Sequence, residues 1–116
     1  MTAFGEVYAD PVLVNGTQLA LTDLVDRARA LQRAFDGLSM QILDIVEAPG
    51  RVVAFLMRGQ HTGPFVSPVG TIAPTRREIE VRTIDVLTLT EGVISGILVV
   101  SDELGLLRQL TEIKLA

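Results

Sequence analysis

The sequence predicts one α+β domain in which a curved antiparallel sheet wraps a main helix and closes at one end. Three observations carry this expectation. The 116 residues are 48% hydrophobic and 21% charged, the composition of a chain that buries one core. A single clear helical period near the front is followed by four long strand patterns separated by turn signals. No linker, internal repeat or low-complexity tract interrupts them, so residues 1–116 are expected to form one domain.

The elements follow in order. Thr2 to Tyr8 read as the end of a helix or an irregular arm, broken at Asp10-Pro11 because proline pushes its predecessor out of the α region. Pro11 to Asn15 reads as a short strand, closed by Asn15-Gly16, a dipeptide suited to positive φ. The helix is expected over Asp23 to Phe35, with Thr22 as N-cap. Leu24, Val25, Ala28, Leu31, Gln32 and Phe35 recur on one side, and Asp26, Arg27, Arg29 and Arg33 on the other. Asp36-Gly37 is expected to end it in a left-handed cap.

Leu38 to Glu47 and Arg51 to Thr62 then alternate as strands around an Ala48-Pro49-Gly50 turn. The second is apolar on both faces, with Val52, Ala54 and Leu56 on one and Val53, Phe55 and Met57 on the other, so both faces are expected to be covered. Gly63 to Thr75, with three prolines, reads as a long loop. Arg76 to Thr90 and Val93 to Val100 read as a hairpin about Glu91-Gly92, and Asp102 to Leu110 as a closing helix. Thr111 to Leu115 would continue it as strand or arm.

Composition also narrows function. A net charge of −4 and no basic run argue against a nucleic-acid surface. The chain has no cysteine and one histidine, which leaves a zinc site without its usual ligands, and no metal or cofactor is expected. No apolar stretch is long enough to span a bilayer, and the first residues lack the pattern of a signal peptide, so a cytoplasmic protein is expected. No serine is accompanied by a second histidine or an oxyanion motif, and no glycine-rich stretch joins a strand to a helix at phosphate-loop spacing.

Several segments sharpen the pattern. Gly59-Gln60-His61-Thr62-Gly63-Pro64-Phe65, the pair Glu80 to Val86 and Glu91 to Ile94, and Ser101-Asp102-Glu103-Leu104-Gly105-Leu106-Leu107-Arg108-Gln109-Leu110 together resemble the SnoaL-like polyketide cyclases of the nuclear transport factor 2-like superfamily. The resemblance runs from about Ala9 to Leu110 and implies a cone-shaped sheet around helices, an apolar pocket for a small hydrophobic carbonyl compound, and frequent homodimers. It also implies an acid/base aspartate, which falls on Asp102. Two departures stand out. The helical segment that opens relatives is shortened or missing here, leaving the cone open or closed by a partner chain. Ile97-Leu98 stands where relatives often carry His-Trp, which keeps a non-catalytic binding or assembly module as the alternative to a cyclase or isomerase.

Among candidate residues, Asp102 carries two readings. At the mouth of an apolar pocket its carboxyl would be pushed toward the range useful for proton transfer; at a helix start it would cap free N–H groups. Asp85 shares strand parity with Ile79, Val81, Thr83, Leu87 and Leu89, which places a carboxylate on a mainly apolar face, where it needs a hydrogen-bond partner or a task. His61 shares parity with Phe55 and Met57 and is either an assisting group or a hydrogen-bonded structural histidine. Asn15 and Tyr8 are candidates to present polar groups from the open end, and Phe55, Met57, Phe65 and Leu98 to line the pocket. Arg82 and Asp85, three apart on a strand, point to opposite faces and so do not form the Arg/Asp pair of cone-fold epoxide hydrolases. The stripe Leu104, Leu106, Leu107 and Leu110 is expected to pack in the core or against a second subunit.

Overall fold

A computed structural model describes residues 2–112 of the chain. The order is α1 (Thr2–Val7), β1 (Tyr8–Val14), β2 (Thr17–Leu19), α2 (Leu21–Ala34), β3 (Phe35–Ala48), β4 (Gly50–His61), β5 (Phe65–Ser67), β6 (Gly70–Ile72), β7 (Glu78–Thr90), β8 (Val93–Ser101) and α3 (Glu103–Leu110). Six strands form one curved sheet in the order β2-β1-β8-β7-β4-β3, and β5 and β6 form a separate hairpin. Every pairing is antiparallel except β1 on β8, which is parallel.

The long strands alternate as β-sheet geometry requires, and their register fixes the two faces. Ile79, Val81 and Thr83 of β7 stand beside Gly59, Met57 and Phe55 of β4 on the concave face. There they meet the core, in which Ala34, Phe35, Ile79, Val81, Leu106 and Leu110 are all buried. Helix α3 closes this end through Gln109. Its Nε2 donates to the Glu80 carbonyl at 2.9 Å and its Oε1 accepts from the Glu80 N–H at 2.8 Å, so one amide extends the hydrogen-bonding edge of β7.

Several elements differ from expectation, each for a local reason. Asp10-Pro11 does not end the first helix, which stops at Val7; it lies inside β1, where the register on β8 shifts between Tyr8 and Leu13 and the ladder can spare the missing N–H. Helix α2 starts two residues earlier than the pattern indicated, with Ala20 rather than Thr22 at the N-cap and no side-chain cap of its own. The cap comes from β1, because Asp10 Oδ1 accepts the Leu21 N–H at 3.0 Å. That contact spans eleven positions, so a local cap rule does not find it.

Asp36-Gly37 is not a helix cap either. Phe35 is already extended, and Gly37, at φ 62°, forms an irregularity in β3 where its register on β4 shifts between Asp36 and Ser39. The proline-containing loop holds the β5–β6 hairpin, whose start is pressed against the end of α2. Thr62 and Gly63 both donate to the Ala34 carbonyl, and a Cβ at Gly63 would collide with the Arg33 carbonyl oxygen. The Glu91-Gly92 turn forms as expected, with both residues at positive φ. The expected continuation over Thr111 to Leu115 lies mostly outside the described residues. No helix among the described residues is long and apolar enough to cross a membrane.

Candidate active site

A cavity of about 410 Å³ lies on the concave face, enclosed by β4, β7, β8, α2, α3 and the β5–β6 hairpin. Phe55 and Met57 of β4, Phe65 and Val66 of β5, and Leu106 and Leu107 of α3 supply most of its apolar lining. Few polar groups reach it. The polar residues of its lining are Asp85, Ser67, Glu103, and Thr83 with Ser101, whose hydroxyls lie 3.1 Å apart.

This environment acts on the carboxyl of Asp85. Val53 of β4 and Val99 of β8 flank it across the sheet, and burial raises its carboxyl above the ordinary value of 3.8. Half-buried Tyr8 lies close enough to feel its charge. Burial first, and the negative charge of Asp85 second, raise the Tyr8 phenol above 10.0, so the phenol remains a hydrogen-bond donor across the working range. The strand-parity argument thus placed Asp85 correctly. Tyr8 comes from the parallel strand β1, whose neighbourhood with β7 through β8 no local pattern reveals.

The other candidates divide. Phe55, Met57 and Phe65 line the cavity. Leu98 does not: it pairs with Val86 on the outer face and is 59% exposed, while its neighbour Val99 takes the inward position. Asp102 is exposed and serves as the N-cap of α3, its Oδ1 accepting the Gly105 N–H at 2.8 Å. The capping geometry satisfies a helix-end donor and holds the carboxylate away from the cavity lining.

His61 is fully buried against the Phe35 ring, with centroids 5.3 Å apart. Its Nδ1 accepts the Thr75 N–H at 3.1 Å, which puts the ring hydrogen on Nε2, an atom with no hydrogen-bond partner among the described residues. The ring holds residue 75 through Nδ1 and lies outside the cavity lining. Asn15 likewise lies outside the cavity lining. Its Oδ1 accepts from the Val99 N–H at 2.8 Å and its Nδ2 donates to the Val99 carbonyl at 3.3 Å, carrying the β1–β8 pairing past the end of β1.

Thr83, Ser101 and Glu103 were missed as site residues. Thr83 shares the parity of Asp85 and could have been found by it; Ser101 and Glu103 are masked by sitting where helix caps sit. Among the described residues no group of three or more His, Cys, Asp or Glu side chains converges as metal ligands would.

The comparisons agree with this architecture. TsrD from Streptomyces laurentii superposes with a TM-score of 0.83 at 20% identity, covering 97% of this chain and 83% of that one. IdmH from Streptomyces antibioticus gives 0.77 at 20% identity over 94% and 85%. A SnoaL-like polyketide cyclase from Agrobacterium tumefaciens gives 0.71 at 16% identity over 94% and 86%. Among curated proteins none matches the chain significantly. The sequence pattern of the SnoaL-like polyketide cyclases matches residues 1–110, and with the curved sheet and its closing helix in place the chain belongs to the SnoaL-like polyketide cyclase family.

Proposed function

We propose that this chain is a cyclase or isomerase for a small hydrophobic carbonyl compound, with Asp85 as its acid/base group. The observation that carries the reading is a half-buried carboxyl, raised by burial, in the lining of an apolar cavity. In an intramolecular aldol closure the Asp85 carboxylate takes a proton from the carbon beside one carbonyl. The electron pair of that C–H bond becomes the enolate, whose carbon attacks a second carbonyl carbon. A C–C bond forms, the second C=O π pair moves to oxygen, and the proton on Asp85 passes to that oxygen. The Thr83–Ser101 hydroxyl pair in the lining is suited to donate to an oxygen that gains charge. The apolar walls fold the substrate and exclude water, which holds the two reacting carbons together.

In this reading Asp102 and His61 support the site from outside it, through the α3 cap and the residue 75 contact. Turnover of an aromatic polyketide mimic by Asp85→Asn and by Asp102→Asn separates the roles. Loss in the first with near-normal turnover in the second supports the proposal; the reverse pattern returns the chemistry to Asp102.

A ligand-binding module with the same cavity is the second reading. It is favoured by the commitment of Asp102 to a helix cap and by the few polar groups in the lining. That reading predicts tight ligand binding that Asp85→Asn leaves unchanged or improves, and no turnover in any variant.

We also propose a homodimer through the outer face of the sheet. Val46, Val52, Val86 and Leu98 pair side by side across four strands, and Ile84 and Val100 form a second row beside them. Val100 is 73% exposed and Val46 56%, an apolar surface that association would cover.

A further inference from the structure

Beside the main cavity lies a second pocket, of about 490 Å³, between α2 and the β5–β6 hairpin. The two share Leu31, Phe65 and Val66, so one opens beside the other over a common apolar sill. The second pocket differs in charge. Arg27 and Arg33 stand on either side of Ala30 on α2, facing Pro64 across the gap.

At 3.6 residues per turn these two arginines fall about 60° to each side of residue 30, so Ala30, with only a methyl side chain, lies between them on the face that lines the pocket. Both arginines are exposed. Among the described residues the ion pairs are Glu47 with Arg51 and Glu80 with Arg58, and neither Arg27 nor Arg33 has a carboxylate within 4.0 Å. Arg58, in its own groove, is held by both Glu80 and Gln41, whereas among the described residues Arg27 and Arg33 have no such partner. The acidic residues of α2, Asp23 and Asp26, do not line the pocket. In a chain of net charge −4, two unneutralised guanidinium groups beside an apolar cavity form a local field of opposite sign to the whole.

We propose that this second pocket is an anion subsite, and that the ligand of the main cavity is an amphipathic carbonyl compound carrying a carboxylate that rests between Arg27 and Arg33. The inference rests on the reading of the main cavity as the binding site for an apolar carbonyl compound, and it adds the charge class of that compound. A carboxylate fits better than a phosphate. The guanidinium fork matches either anion, but the backbone N–H groups at the start of α2, which would favour a phosphate, begin six residues before Arg27 and lie outside the pocket.

The test compares 4-(2-naphthyl)butanoate with its methyl ester by titration calorimetry, on the full chain and on Arg27→Gln/Arg33→Gln. Both positions are exposed, and the fold of the double variant is checked by its far-UV spectrum. In the unaltered chain the acid should bind about tenfold more tightly than the ester, a difference of about 1.4 kcal/mol. The double variant should lose that tenfold preference while the ester shifts less than twofold. Raising the salt concentration should shrink the acid's advantage in the unaltered chain and leave the double variant unmoved. If the ester binds and the acid gains nothing over it, the subsite is wrong and the cavity reading stands. If neither compound binds, the cavity reading fails and the subsite with it.

Discussion

The first and second halves of β7 have the same alternating pattern and different fates. From Glu78 to Thr83 the inward residues Ile79, Val81 and Thr83 are buried, whereas from Ile84 to Thr90 the inward residues Asp85, Leu87 and Leu89 are only half-buried. The difference is the cover. The first half lies under the core cluster with α3 and the end of α2, while along the second half the sheet continues with less laid over it. The same division runs through β3, whose Phe35 is buried while Met40, Ile42 and Ile45, also on the inward side by their pairing with β4, are about half exposed or more. The molecule is accordingly drawn out, 44 × 30 × 27 Å, with a radius of gyration of 15.2 Å against about 13 Å for a compact chain of this length. Burial in a sheet is decided by what lies over it, and Asp85 sits at the margin between covered and bare.

That margin can be tested from both sides. The largest effect is expected at Asp85 itself: Asp85→Asn should lower turnover by about 10²- to 10⁴-fold, read as kcat on a polyketide mimic, with the fold intact. In the covered half, Phe35→Ala should cost about 3–5 kcal/mol in denaturant unfolding. In the bare half Ile42→Ala should cost well under half of that, and equal losses would mean that something covers this end. Asp102→Ala should cost about 1 kcal/mol through the lost α3 cap and leave kcat within about threefold, a small loss set against that at Asp85. On the outer face, Leu98→Glu with Val86→Lys should turn a sedimenting dimer into a monomer; a wild-type chain that sediments as a monomer at micromolar concentration removes that interface from consideration.

The smallest effect concerns pH. The folded-state carboxyl of Asp85 is raised above its unfolded value, so between the two the native state binds more protons than the unfolded one. Stability therefore falls as pH rises through that interval, and the loss persists at neutral pH. Asp85→Asn removes it. The variant should melt above the wild type at pH 7, with the gap closing as pH drops below the ordinary carboxylate value of 3.8. A variant less stable than the wild type at pH 7 would mean that the charge is held by favourable partners and is not strained by burial.

Much of this architecture was legible from local pattern. Alternation along residues 78–90, the two-residue turn at Glu91-Gly92 and the capping sequence before Glu103 each concern neighbours in sequence, and each took the form the pattern gave. The resemblance carried by the 59–65 and 101–110 segments supplied the cone fold. What stayed hidden depends on distant partners. The cap of α2 comes from Asp10, the continuation of β1 from the side chain of Asn15, and the charge of Asp85 acts on Tyr8, which stands on a strand on the far side of β8. Leu98 shows the cost of reading a dipeptide without its register. Ile97-Leu98 marks one location in sequence and two opposite faces in space.

Gly63 has a consequence for how such a molecule could change its diet. The β5–β6 hairpin carries Phe65 and Val66, which form part of both cavity walls, yet its root is clamped to the Ala34 carbonyl at a point with no room for even a methyl group. Substitution at the root would lever the whole hairpin away from α2 and spill both pockets into solvent. Its tip, from Ser67 to Gly70, is free of that constraint, and Val69 there is 75% exposed. Variation in ligand size is therefore expected to be written in the length and side chains of the tip, with the root fixed like the pivot of a pair of tongs.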